Sequence, residues 1–164
     1  MIICLPPAII ASEIEQKVKV TFIYNFAKFI KWPVSATNNP YAPFNICIEG
    51  NKPLSGNIKL LQDRLVDGHK IVVFTIKDPS EWRYCNILFI GDSEAHKVAD
   101  VLRNVAALPV LTISDLPNFV NSGGIIGLKV LDHRVRFDIN LAEAQKAKLS
   151  IDSQLLKLAV QVLR

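Results

Sequence analysis

The side chains that could do chemistry are few and scattered. His69, His96 and His133 fall at the start of a strand-like run, on a helical run and in a tight turn. None stands beside a second ligand at metal spacing or an acidic group that would orient its ring, so they read as surface or edge histidines. Gly123-Gly124-Ile125-Ile126-Gly127 is rich in glycine but leads into an apolar strand pattern. A phosphate cradle needs its glycines after a strand and before a helix, so this segment reads as a turn. No serine sits in a nucleophile-elbow context, the cysteines lack a partner base, and Glu13 and Glu15 open a helix whose dipole favours them. An enzyme is therefore not expected, and no cofactor or metal is implied.

Recognition chemistry is better represented. Tyr24, Phe26, Phe29 and Trp32 place four aromatic residues within nine positions, with Asn25 and Lys28 among them. Tyr24 or Trp32 would anchor a contact patch or pocket, with Lys28 as the polar selector. The alternative is that all four rings pack on a sheet. In Arg134 to Asn140, Val135, Phe137 and Ile139 alternate with Arg134, Arg136, Asp138 and Asn140, so a strand there has one apolar and one polar face. Either that polar face docks a partner through charge-assisted hydrogen bonds, or it keeps a sheet edge soluble.

The elements that must position these groups follow from periodicity. Glu13 to Lys31 carries apolar residues at helical spacing and stops before Pro33. After a polar link over Asn38 to Pro43, a strand is expected at Phe44 to Glu49, a helix at Leu54 to Leu65 and a buried strand at His69 to Ile76. A loop over Lys77 to Tyr84 leads to a strand at Cys85 to Ile90. Asp92 or Ser93 then caps a helix to about Ala106, and Pro109 to Ile113 is a further strand. Beyond a short helix at Leu116 to Val120, Ile125 to Leu131 and Arg134 to Ile139 form a hairpin closed at Asp132-His133. Helices at Leu141 to Lys148 and from Asp152 onward finish the chain, the last presenting Leu155, Leu156, Ala159, Val162 and Leu163 to the core. The fold class is α/β: a single-domain three-layer sandwich, with a mainly parallel sheet, a C-terminal antiparallel hairpin and helices on both faces.

Half of the 164 residues are hydrophobic and the net charge is +4. Such a chain can bury one sizeable core. Its basic residues form no block, which argues against nucleic-acid binding. Residues 1–12 read as the remnant of a secretion signal or a ragged terminus ahead of a domain over 13–164. The segment is apolar, ends in Ala8, Ala11 and Ser12, and is too short to span a bilayer. Ile3 before Cys4 is a poor fit to a lipid-attachment site.

Tyr24 to Phe29 with Trp32-Pro33, Pro109 to Asp115, Gly123-Gly124, Val135 to Asn140 and Ser153 to Ala159, in this order and with these gaps, resemble the YfiR-like family of small bacterial periplasmic proteins. The resemblance implies a non-enzymatic regulator in the periplasm. Its partner would be the periplasmic sensory region of a membrane diguanylate cyclase, which it represses to control cyclic-di-GMP and biofilm formation. A homodimer and a small-molecule ligand also fit the family. Two alternatives are a ligand-sensing module for another receptor, such as a histidine kinase, and an uncharacterised enzyme on a flavodoxin-like scaffold. In an exported protein Cys47 and Cys85 are most simply a disulfide, and the family carries a pair at similar separation; the alternative is two buried thiols.

Overall fold

A computed structural model describes residues 3–37, 39–50 and 53–164. Met1 and Ile2 of the expected leader, and Asn38 of the expected link, lie outside the described residues. In chain order the elements are α1 (Pro7–Phe29), β1 (Ile30–Lys31), α2 (Val34–Thr37), β2 (Phe44–Glu49), α3 (Pro53–Ile58), β3 (Leu65–Val66), β4 (His69–Thr75) and β5 (Ile87–Ile90). They continue with α4 (Val98–Val105), β6 (Leu111–Ser114), β7 (Ile126–Leu131), β8 (Arg134–Asn140), α5 (Leu141–Lys146), β9 (Ser150–Ile151), α6 (Ser153–Leu158) and β10 (Gln161–Leu163).

The main sheet has the order β10-β8-β7-β6-β5-β2-β4-β3. From β4 to β7 neighbouring strands are parallel; β8 is antiparallel to β7, and β3 to β4. Parallel strands are apolar on both sides and must be covered on both. On one face Ile46, Ile48, Ile87, Phe89 and Phe137 pack under Ile23, Phe26 and Ala27 of α1, Ile58 of α3 and Leu155 of α6. Phe26 meets Phe137 edge-on at 5.1 Å, with Phe22 5.6 Å from the same ring. On the other face Cys47, Leu88 and Ile90 pack against Trp82 and against Val98, Val101, Leu102 and Val105 of α4. The three-layer α/β fold is as the patterning predicts.

The Cys47–Cys85 disulfide lies in the second layer, with Cα atoms 5.7 Å apart. Cys47 sits on β2 opposite Leu88 of β5, and Cys85 ends the 3-10 turn Pro79–Tyr84, so the bond ties that turn to the sheet centre. Asp78 and Glu81 cap the turn reciprocally, which gives shape to a segment expected to be a loop.

Several boundaries differ from the periodic reading. The first helix starts at Pro7 rather than Glu13, because proline is well accommodated in a first turn and the exposed side chains of residues 7–9 and 11–14 offer no stripe to read. Ile30–Lys31 is extended and pairs with Ser150–Ile151. α3 and a 3-10 turn end at Leu61, and exposed Leu65 begins a strand. Helix α4 begins at Val98, after a 3-10 stretch kinked at Glu94. Leu116 to Val120 is no helix; a 3-10 turn over Val120–Ser122 follows it. Helix α5 ends at Lys146.

The largest difference is at the C-terminus. Helix α6 stops at Leu158, and Gln161–Leu163 pairs in parallel with Asp138–Asn140. Val162 and Leu163 fit the helical period, but the free edge of β8 offers backbone groups that an extended segment satisfies; Val160 N–H donates to the Phe137 carbonyl at 2.8 Å.

Gly123 takes φ +102°, and a Cβ on Gly124 would collide with the buried Phe119 ring. Gly124→Ala is therefore expected to destabilise by about 1–3 kcal/mol or more through overpacking, read from denaturant melts; an unchanged midpoint would contradict the contact. Mass spectrometry of unreduced protein should find Cys47 joined to Cys85. Replacing both by alanine should cost up to about 4 kcal/mol for a 38-residue separation, and unaffected stability would show the bond to be dispensable.

Candidate recognition site

The aromatic run of α1 is distributed rather than gathered. Phe26 is core, Phe29 is exposed, and Tyr24 is half-buried with its hydroxyl donating to the Leu65 carbonyl at 2.9 Å. Lys28 Nζ stands 4.4 Å from the Tyr24 ring centroid, and Arg64 Cζ lies 5.7 Å from it on the β3 side of the sheet. Asn25 is half-buried beside them in sequence. Trp32 donates from Nε1 to the Asn86 carbonyl at 3.1 Å and stacks edge-on with Phe44, so its polar end is committed to the fold. Tyr24 and Lys28 thus form an exposed-edge cluster at the β3 end, and Trp32 is separate from it.

The polar face of β8 lies towards the other end of the sheet. Asp132 and His133 both take positive φ, +49° and +62°, forming the two-residue turn that the right-handed twist favours. Arg134 and Arg136 are exposed. Asn140 is not part of that surface: it is buried, its Nδ2 donates to the Val120 carbonyl, and its Oδ1 caps α5 by accepting from Glu143 N–H. The alternation that put it on the polar face holds, but the strand has by then passed under the 3-10 turn Val120–Ser122.

Asp138 lies between these extremes. Its Oδ2 accepts from Lys129 Nζ at 2.7 Å, while Oδ1 is buried without a hydrogen-bond partner among the described residues. It helps to line a groove of about 440 Å³, together with Lys19, Asp115, Asn118, Lys129 and Gln161. Lys19 is 6% exposed and holds Glu15 at 3.0 Å and Asp115 at 3.1 Å. Burial alone would lower its pKa. The Glu15 hydrogen bond and the field and hydrogen bond of Asp115 outweigh that and raise it above the ordinary lysine value, so the amine stays charged at neutral pH. The groove therefore presents two ion pairs and one unsatisfied carboxylate oxygen, a donor-seeking surface suited to recognition.

Sequence reasoning reached Asp138 but missed Lys19, Asp115 and Lys129. The Glu15/Lys19 spacing of four on a helix was a readable signal. The 96-residue step from Lys19 to Asp115 was not. Among the described residues no three of His, Cys, Asp and Glu gather as metal ligands, and no helix is long and apolar enough to cross a membrane.

Solved structures share the fold, among them the following two. A conserved domain protein from Vibrio cholerae O1 biovar El Tor superposes with a TM-score of 0.61 at 12% identity, covering 90% of this chain and 60% of that one. An ABC domain from Streptococcus pneumonia, solved in complex with L-Trp, superposes with a TM-score of 0.52 at 12% identity, covering 73% of this chain and 55% of that one. The chain thus spans less than two thirds of either, and at that identity the likeness is one of fold. The family model described as YfiR/HmsC-like matches residues 16–160, nearly the whole ordered domain, and the chain belongs to that family.

Proposed function

We propose that this protein binds the periplasmic sensory region of a membrane-anchored diguanylate cyclase and holds it in an inactive arrangement. Family membership supports a periplasmic regulatory role in cyclic-di-GMP signalling in general terms. The observation that carries the docking step is the tip of the β7–β8 hairpin. Exposed Leu131 shares a face with exposed Arg134 and Arg136 there, directly opposite Arg134, with Lys129 opposite Arg136; exposed Val130, opposite Val135, lies on the other face of the tip. Apolar contact area next to uncommitted guanidinium groups is the composition of a protein interface. The tip is rigidly presented, since its strands continue into the sheet and its turn is two residues long. Tyr24 and Lys28 at the far edge form a second candidate contact.

Repression then works as a population shift. A partner that exists in active and inactive forms is biased by whatever binds one form better. The groove at Lys19 and Asp138 favours a second reading, a ligand-sensing module for another receptor such as a histidine kinase, because a donor reaching Asp138 Oδ1 would satisfy a buried acceptor.

The protein should co-purify with the isolated periplasmic segment of its cyclase. Arg136→Glu should weaken that association by about tenfold or more while leaving the melting temperature nearly unchanged, because Arg136 is exposed. Failure of the unsubstituted protein to co-purify would remove the cyclase reading. A large loss of thermal stability in the variant would show Arg136 to be structural.

A further inference from the structure

The parallel strands stand in the spatial order β4-β2-β5-β6-β7, so the chain leaves β2 to one side for β4 and returns to the other for β5. In open α/β sheets that reversal opens a crevice beyond the carboxyl ends of the two diverging strands, the usual place for a ligand. A cleft of about 710 Å³ lies there, within the roughly 300–1,000 Å³ typical of small-molecule sites. Its walls are preformed. Gly50, at φ +107°, brings the end of β2 against the end of β5 so closely that a Cβ would fall 2.7 Å from Ser93 Oγ and 3.1 Å from Glu94 Cγ.

The charges lining the cleft sort themselves by partner. Glu94 pairs with Lys97 at 3.0 Å, and Asp100 pairs with Arg103 at 2.8 Å. Glu94 chiefly, and Glu49 more weakly, hold the Lys97 pKa above its ordinary value, which places Glu49 within electrostatic reach of that pair. Two charges of the cleft stand outside these ion pairs. Glu49 Oε2 accepts from the Trp82 indole N–H at 2.8 Å, which fixes the carboxylate, while Oε1 has no partner among the described residues. The Lys77 amine makes no ion pair or hydrogen bond among the described residues, although the Glu81 carboxylate, which accepts from the Lys77 backbone N–H at 2.7 Å, lies within its electrostatic reach. Ile76, Pro79 and Val101 supply apolar wall between polar groups. One anion and one cation outside any ion pair, in a half-apolar cleft, complement a molecule that carries both charges; a polyanion such as a nucleotide would meet three carboxylates.

We propose that this cleft binds a small zwitterion, its ammonium group against Glu49 and its acid group against Lys77. The proposal is independent of the cyclase reading, because it concerns the isolated chain. The test is a titration of the isotope-labelled full chain, followed by amide chemical shifts. The probes are gamma-aminobutyrate, glycine betaine and para-aminomethylbenzoate, with benzylamine and benzoate as single-charge controls. At least one zwitterion should move the amides of Glu49, Gly50 and residues 75–77 and bind about tenfold tighter than either control. Glu49→Gln, which keeps an oxygen for the Trp82 indole, should weaken the zwitterion and benzylamine about tenfold but spare benzoate, and Lys77→Met should weaken the zwitterion and benzoate but spare benzylamine. The proposal is overturned if no zwitterion moves these amides, if the controls bind as tightly, or if neither substitution shows this selectivity.

Discussion

Strand β2 pairs in parallel with both β4 and β5, and that arrangement dictates most of what surrounds it. A central parallel strand is shut off from water on both sides, so Ile46 and Ile48 point to one helical layer and Cys47 to the other. The first layer is closed by α1, whose Phe26 interlocks with Phe137 at 5.1 Å and so fastens the start of the chain to the C-terminal hairpin. The second is thinner. There the disulfide ties the turn over Pro79–Tyr84 to β2, and Trp82, carried on that turn, is held in the core with its indole N–H directed to Glu49. The bond that stiffens the fold therefore also anchors one wall of the crevice at the carboxyl ends of the strands.

Reversing strand direction at β8 has a different consequence. It ends the run of parallel crossovers and leaves a sheet edge that must not pair with another chain. The edge is closed from within by β10, a three-residue strand too short to offer a long ladder of its own. Because β10 runs along the inner half of β8, beside Asp138 to Asn140, the outer half carrying Arg134 and Arg136 keeps an open flank. The same strand thus supplies core contacts through Val135, Phe137 and Ile139 and a polar surface through its alternate residues.

Much of the architecture was legible because its signals were local. The alternation from Arg134 to Asn140, the apolar runs of the parallel strands and the tight turn at Asp132-His133 each specify an element within a few residues. What could not be read depended on partners distant in sequence. The segment after Leu158 has a helical period and becomes a strand because an unpaired edge lies next to it. Asn140 has the right parity for the polar face, yet it is drawn into capping α5 by a turn twenty residues earlier, at Val120. Nothing near Lys19 in sequence signals Asp115, which only the fold brings to it across 96 residues. The crevice between Glu49 and Lys77 is a product of strand order, which no local pattern encodes.

Lys19 illustrates why such a site is better explained by recognition than by stability. Burying an ammonium group costs several kcal/mol, which its carboxylate partners roughly offset, and an apolar side chain of similar volume would commonly stabilise as well or better. What the ion pairs add is direction: Asp115 at the exit of β6 ties the helix to one place across the sheet, and Glu15, one turn back on the same helix, holds the Lys19 amine. Asp138 complements this arrangement in the same groove, with one oxygen satisfied by Lys129 and the other without a donor among the described residues. An acceptor left open beside a firmly positioned cation gains free energy only when a donor arrives from outside, so the unbalanced hydrogen bonding is itself a preference for a bound state.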